Sequence, residues 1–140
     1  MPNAAPKLSV AEPVIVLDAS ALLAAFFDEP GAEVVAERMN GALMSAVNLS
    51  EVVAKLTDRG AAREQIAEIL AQLDIEIVPH DGAQAMTAGL LRRETRSSGL
   101  SLGDRACLAL AIERRAVALT GDRAWLALAE PLKVEVVAIR

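Results

Sequence analysis

At 140 residues, with 54% apolar and 24% charged side chains, the chain suits one domain with a substantial core and is too apolar to stay disordered. Two Phe, one Trp and no Tyr leave few platforms for stacked bases, and a net charge of −5, from 14 basic and 19 acidic residues, argues against a protein that coats nucleic acid by bulk charge. The single Cys107 permits no intrachain disulfide and suits a reduced, cytoplasmic thiol, and no apolar run approaches the roughly 20 residues that cross a bilayer.

The opening MPNAAPKLSVAEP has one lysine, three prolines and no apolar h-region, so it does not read as a secretory signal. Residues 1–12 are expected to form a flexible leader, and 13–140 one domain. PVIVLDAS (13–20) is a continuous apolar run ended by small polar residues, the pattern of a strand buried on both faces at the centre of a sheet. Helical patterns follow at 19–27 and 32–40, separated by Pro30-Gly31, then a short strand at 42–45. Further helices are expected at 49–59 and 62–73, on either side of Gly60. IEIVP (75–79) interleaves glutamate with apolar residues, as an edge strand does. Helices at 83–97 and 102–115 flank Gly99, AVALTGD (116–122) reads as a second buried strand, and VEVVAI (134–139) as the other edge.

Strands alternating with helices predict an α/β fold with a parallel sheet covered on both faces. One difficulty follows. Two helices separate the third and fourth strands, so simple up-and-down crossing would leave Gly99 at the wrong edge. The 83–97 helix must therefore bend, break or lie across the top.

Open α/β sheets bind ligands at the carboxyl ends of their strands. Asp18 ends the first strand, Glu51 lies in the first turn after the second, and Asp122 follows the fourth. Asp104 begins a helix that feeds into the 116–122 strand, so it too starts at the carboxyl edge. Taken singly, each acid is explained by helix capping: Asn48-Leu49-Ser50-Glu51 and Ser101-Leu102-Gly103-Asp104 both fit the capping box, and Asp18 and Asp122 can each cap the helix that follows. Capping does not explain four at one edge. Gathered carboxylates raise one another's pKa and need cations, and oxygen ligands without His or Cys select Mg²⁺ or Mn²⁺. Such an ion is the expected reason that Asp104 is tolerated on the helical face that also carries Cys107, Leu108 and Ala111.

At these residues, through VLDASALLA, NLSEVVAKL, SLGDRACLALA and LTGDRAW, the sequence resembles the PIN-domain ribonucleases, and among them the VapC-type toxins of toxin–antitoxin pairs. The resemblance runs from about Val14 to the end of the chain. It implies a PIN-like three-layer sandwich, a five-stranded parallel sheet of order 3-2-1-4-5, and one or two Mg²⁺ or Mn²⁺ ions on Asp18, Glu51, Asp104 and Asp122, with Ser20 beside them. It also implies hydrolysis of RNA to 5′-phosphate and 3′-hydroxyl ends, a VapB-type antitoxin and a homodimer. Arg105 and Arg123, each following an acid, are expected to contact phosphate, whereas Arg92, Arg93 and Arg96 fit a solvated helix face as well as a substrate surface. His80 reads as a loop residue and Trp125 as inward-facing. Leu22, Leu23, Phe26 and Phe27 suit either the core or the family's grooves for antitoxin and dimer.

Other readings are a PIN nuclease of RNA processing or decay without an antitoxin, a phospho-acceptor receiver and a haloacid-type phosphatase. A receiver needs an Asp ending its third strand, where this chain has Pro79-His80. The phosphatase needs D-x-D where this chain has Asp18-Ala19-Ser20.

Overall fold

The computed structural model describes residues 12–140, so the leader expected at 1–12 lies, but for Glu12, outside the described residues. Five short strands, β1 (Ile15–Leu17), β2 (Ala42–Ser45), β3 (Ile75–Val78), β4 (Val117–Thr120) and β5 (Glu135–Ala138), form one sheet of order β3-β2-β1-β4-β5. Every pairing is parallel. The two apolar runs are thus central and the two glutamate-bearing ones are edges, as their patterns require.

Successive strand residues point to opposite faces, and two cores result. Ile15, Leu17, Ala42, Met44, Val117 and Leu119 face one; Val16, Leu43 and Ala118 face the other. The first is covered by α1 (Ala19–Phe27), α2 (Ala32–Arg38), α3 (Ala46–Asp58) and α4 (Arg63–Ala71). The second is covered by α5 (Gly82–Leu90) and α7 (Leu102–Arg114), with the short α6 (Arg92–Thr95) between them. In α7 every residue from Ala106 to Ala111 is buried. Its alternating small side chains let a helix buried on all sides press closely on the sheet.

Several elements are a residue or two shorter than expected at their ends, and three differ in ways that matter to the site. Strand β1 covers only Ile15–Leu17, because Ala19 already belongs to α1. Helix α3 starts at Ala46 rather than 49: Ser45, the last residue of β2, accepts a 3.2 Å hydrogen bond from the Val47 amide and caps the helix without an intervening loop. The expected 83–97 helix breaks at Leu91 into α5, α6 and a 3₁₀ turn at Arg96–Ser98. Thr95 stitches the break, its buried hydroxyl donating to the Leu91 carbonyl at 2.8 Å. This broken segment returns the chain to the carboxyl edge and removes the parity difficulty. After β4, the helix expected to follow Asp122 is a 3₁₀ segment (Arg123–Leu128) continued by the short α8 (Ala129–Leu132), and it buries the inward-facing Trp125 completely in the second core.

Gly31 joins α1 to α2 at φ +95°, and a Cβ there would meet the Ile139 carbonyl oxygen at 2.5 Å. Gly31→Ala is expected to cost about 2–4 kcal/mol in urea denaturation, from backbone strain and overpacking together. Gly41→Ala, at φ +80° but in open space, should cost only about 1 kcal/mol.

Candidate active site

The site begins where β1 ends. Asp18 occupies the N-cap position of α1 but makes no capping bond, and it is only 5% exposed. Its Oδ2 instead accepts hydrogen bonds from Ser20 Oγ (2.6 Å) and Thr120 Oγ1 (2.9 Å). Ser20 Oγ in turn accepts from the Gly121 amide at 2.9 Å, and Thr120 Oγ1 from the Asp122 amide at 3.1 Å. The exits of the two central strands are therefore latched around one carboxylate. Burial pushes the Asp18 carboxyl up from 3.8 to about 6; the Ser20 and Thr120 hydrogen bonds pull against this, and the charges of Asp104 and Glu51 add to it.

Glu51 is exposed on α3, and its Oε1 accepts from Asn48 Nδ2 at 2.9 Å. The same Nδ2 donates to the Gly103 carbonyl at 2.9 Å, so Asn48, completely buried, ties α3 to the first turn of α7. A Cβ at Gly103 would meet the Glu51 carboxylate, so a larger residue there would push that side chain out of its place beside Asn48. Half-buried Asp104 closes a capping box: its Oδ2 accepts from the Ser101 amide (3.0 Å) while its own amide donates to Ser101 Oγ (3.1 Å). Exposed Asp122 caps the 3₁₀ segment, Oδ1 accepting from the Ala124 amide at 3.0 Å. The capping explanation thus holds for Asp104 and Asp122 and fails for Asp18 and Glu51. It also accounts for Asp104 at the start of an apolar helix without a cation.

Asp18, Glu51 and Asp104 share one electrostatic field, each also pushing up the thiol of Cys107 after its complete burial has done so most strongly. That thiol stays protonated and unreactive. Asp122 is tied to the same strand exit by its backbone amide, which donates to Thr120 Oγ1. Among the described residues no three acidic, His or Cys side chains stand close enough to enclose a metal ion, because Asp104 and Asp122 are folded back on their helix starts. The donor chemistry nonetheless fits a hard divalent cation: all the donors are oxygens, and both hydroxyl bonds to Asp18 fall on Oδ2, leaving Oδ1 outside that pair.

A family model described as PIN domain matches residues 15–131. The chain belongs to the PIN-domain family. Comparison with curated protein sequences finds no match. Among solved structures, this PIN domain is similar to a toxin–antitoxin complex from Klebsiella pneumoniae (19% identity over 90% of this chain and 98% of the other, TM-score 0.71). It is similar as well to FitAcB from Neisseria gonorrhoeae (19% identity, 90% and 98%, TM-score 0.64). A third is VapBC-5 of the VapBC toxin–antitoxin family from Mycobacterium tuberculosis (26% identity, 90% and 99%, TM-score 0.61).

The remaining expected residues scatter. Ser20 stands beside Asp18. Arg105 of the PIN domain turns to α5, its Nη1 donating to the Ala88 carbonyl at 3.1 Å and its Nε buried without a partner. Exposed Arg123 donates to the Arg140 carbonyl at 3.1 Å. Arg92, Arg93 and Arg96 are exposed, and His80 is half-buried next to Asp81, which caps α5 through the Gln84 amide. Leu22 is core; Leu23, Phe26 and Phe27 pack half-buried against it. Thr120 and Asn48 are the site residues the sequence reading passed over.

Because the folded protein holds the Asp18 proton more tightly than the unfolded chain, ionisation of Asp18 is expected to lower stability as pH rises from about 4 to about 6, by on the order of 3 kcal/mol. Asp18→Asn removes this loss. Thermal unfolding in a chelator should show the variant several degrees more stable than the parent at pH 8 and no more stable at pH 4. Equal unfolding temperatures at pH 8 would contradict the burial penalty.

Proposed function

We propose that this PIN domain is the toxin of a type II toxin–antitoxin pair, a Mg²⁺- or Mn²⁺-dependent endoribonuclease acting in the cytoplasm as a homodimer held in check by a VapB-type antitoxin. The reading is carried by Asp18. A family of nucleases is shown by the domain match, and a carboxylate desolvated at the head of the central strand, facing two further acids, is poised to gain most from a cation. Toxin–antitoxin complexes among the similar folds support the partner.

In this reading Asp18, Asp104 and Asp122 would hold the ion, the latter two on release from their capping bonds, and Glu51 would either join them or orient the attacking water. Ser20 and Thr120 keep Asp18 Oδ2 fixed. Asn48 fixes the direction of Glu51. Arg123, exposed next to Asp122, meets a phosphate, whereas Arg105 is a structural tie between α7 and α5. When bound, a divalent ion supplies Lewis acidity and neutralises charge on the phosphoryl oxygens. In-line hydrolysis then leaves 5′-phosphate and 3′-hydroxyl ends.

Purified protein is expected to cut single-stranded RNA with Mg²⁺ or Mn²⁺ and not in chelator, and Asp18→Ala, Asp104→Ala and Asp122→Ala should each slow cleavage about 100-fold or more. Cleavage that persists in chelator, or in Asp18→Ala, would refute the mechanism. Expression should arrest growth, with relief by a short neighbouring reading frame encoding a DNA-binding protein. RNA cleavage without growth arrest would instead favour a processing or decay nuclease.

A further inference from the structure

Glu51 and Lys55 of α3 and Arg59, which caps its C-terminus, follow at four-residue intervals, so the three lie along one side of the helix over about 12 Å. Lys55 and Arg59 are exposed. Together with Ser20 and Phe27 of α1, Glu29 and Arg140, they line a cleft of about 260 Å³. The Arg59 guanidinium lies 4.2 Å from the centre of the Phe27 ring. Arg140 is anchored at the other end: its Nη1 donates to the Pro30 carbonyl at 3.0 Å and stands 3.7 Å from Glu29 Oε1. Its Nη2 lies over Gly121, where an added Cβ would be 2.9 Å from Nη2 and 3.3 Å from Ser20 Oγ. Ser20 is the residue that donates to Asp18.

From this juxtaposition, a row of three cations leading to the hydroxyl that holds Asp18, we infer that the cleft binds the phosphodiester backbone of the RNA strand as it leaves the cutting site. The inference rests on the nuclease reading above and deepens it. In a chain of net charge −5, the side chains lining the cleft are three cationic to one acidic, Glu29, the reverse of the overall balance, and backbone contacts of this kind fix register without reading sequence. Arg140 stands over Gly121 on the side of Ser20. Lys55 and Arg59 follow along α3, and the guanidinium stacked on Phe27 offers its other face to a base. An acidic peptide has the same charge as the RNA backbone, but the cleft ends at Ser20, whose hydroxyl holds the reacting carboxylate, which the substrate must approach and a peptide need not.

The test is binding of a single-stranded RNA oligonucleotide to the full chain carrying Asp18→Asn, in Mg²⁺ across a salt series, with and without Lys55→Ala plus Arg59→Ala. The double substitution should weaken binding about tenfold and flatten the slope of log affinity against log salt by about 1.4, two lost phosphate contacts on a single strand. Lys55→Arg plus Arg59→Lys should restore the slope. Arg92→Ala plus Arg93→Ala, an equal charge change on α6, should leave it unaltered. Thermal unfolding checks the fold, and Lys55→Glu alone, at an exposed position, serves if the double variant unfolds; it should weaken binding in the same direction. An unchanged slope in the double variant overturns the inference. So does intact RNA binding combined with lost affinity for an antitoxin, which would make the cleft a protein-docking site. These results are distinct from failure of the nuclease reading, in which the parent chain with Asp18 intact does not cut RNA at all.

Discussion

Desolvation of one carboxylate organises this molecule. Asp18 sits at the head of the central strand, where parallel neighbours on both sides and helices on both faces exclude water. Burying such a group without compensation is unfavourable, and the protein compensates only in part: two hydroxyl donors converge on Oδ2, yet the carboxyl remains pushed up to about 6. One of those donors comes from β4 and the other from α1, so relieving the charge also fastens the two strand exits together. The fold's topology supplies this arrangement, since β1 and β4 are adjacent and parallel although about a hundred residues separate them.

The other acids reach the same edge by different local routes, and those routes govern their freedom. Asp104 and Asp122 are engaged by backbone amides at helix starts, Glu51 by the amide of Asn48. Carboxylates that in sequence look interchangeable are therefore three kinds of group: one buried and fixed, one steered by a neighbouring side chain, and two parked on backbone.

Much of the architecture was legible in the sequence. Continuous apolar runs marked β1 and β4 as central, and glutamates marked β3 and β5 as edges, because burial on one or both faces is written directly into strand composition. The start of α3 was not, since Ser45 ends a strand and caps a helix at once, and Asn48 three residues before Glu51 imitates a capping box that the fold does not form. Thr120 was hidden for a related reason: a β-branched residue ending an apolar strand looks like a strand residue. Chain adjacency is a weak guide for Arg105, whose guanidinium donates to the Ala88 carbonyl of α5, because the next residue on a helix points about 100° away from its predecessor. The i, i+4 series of Glu51, Lys55 and Arg59 is the better guide to what lies beside an acid.

The capping bonds of Asp104 and Asp122 carry a consequence for how readily this edge can change. Each bond of this kind is worth about 1 kcal/mol, so drawing both side chains inward together starts roughly 2 kcal/mol uphill, a thirtyfold disadvantage. The edge is thus spring-loaded toward its open arrangement: a visitor that engages only one of the two loosens a single helix end, while one that engages both must draw two separate segments toward Asp18.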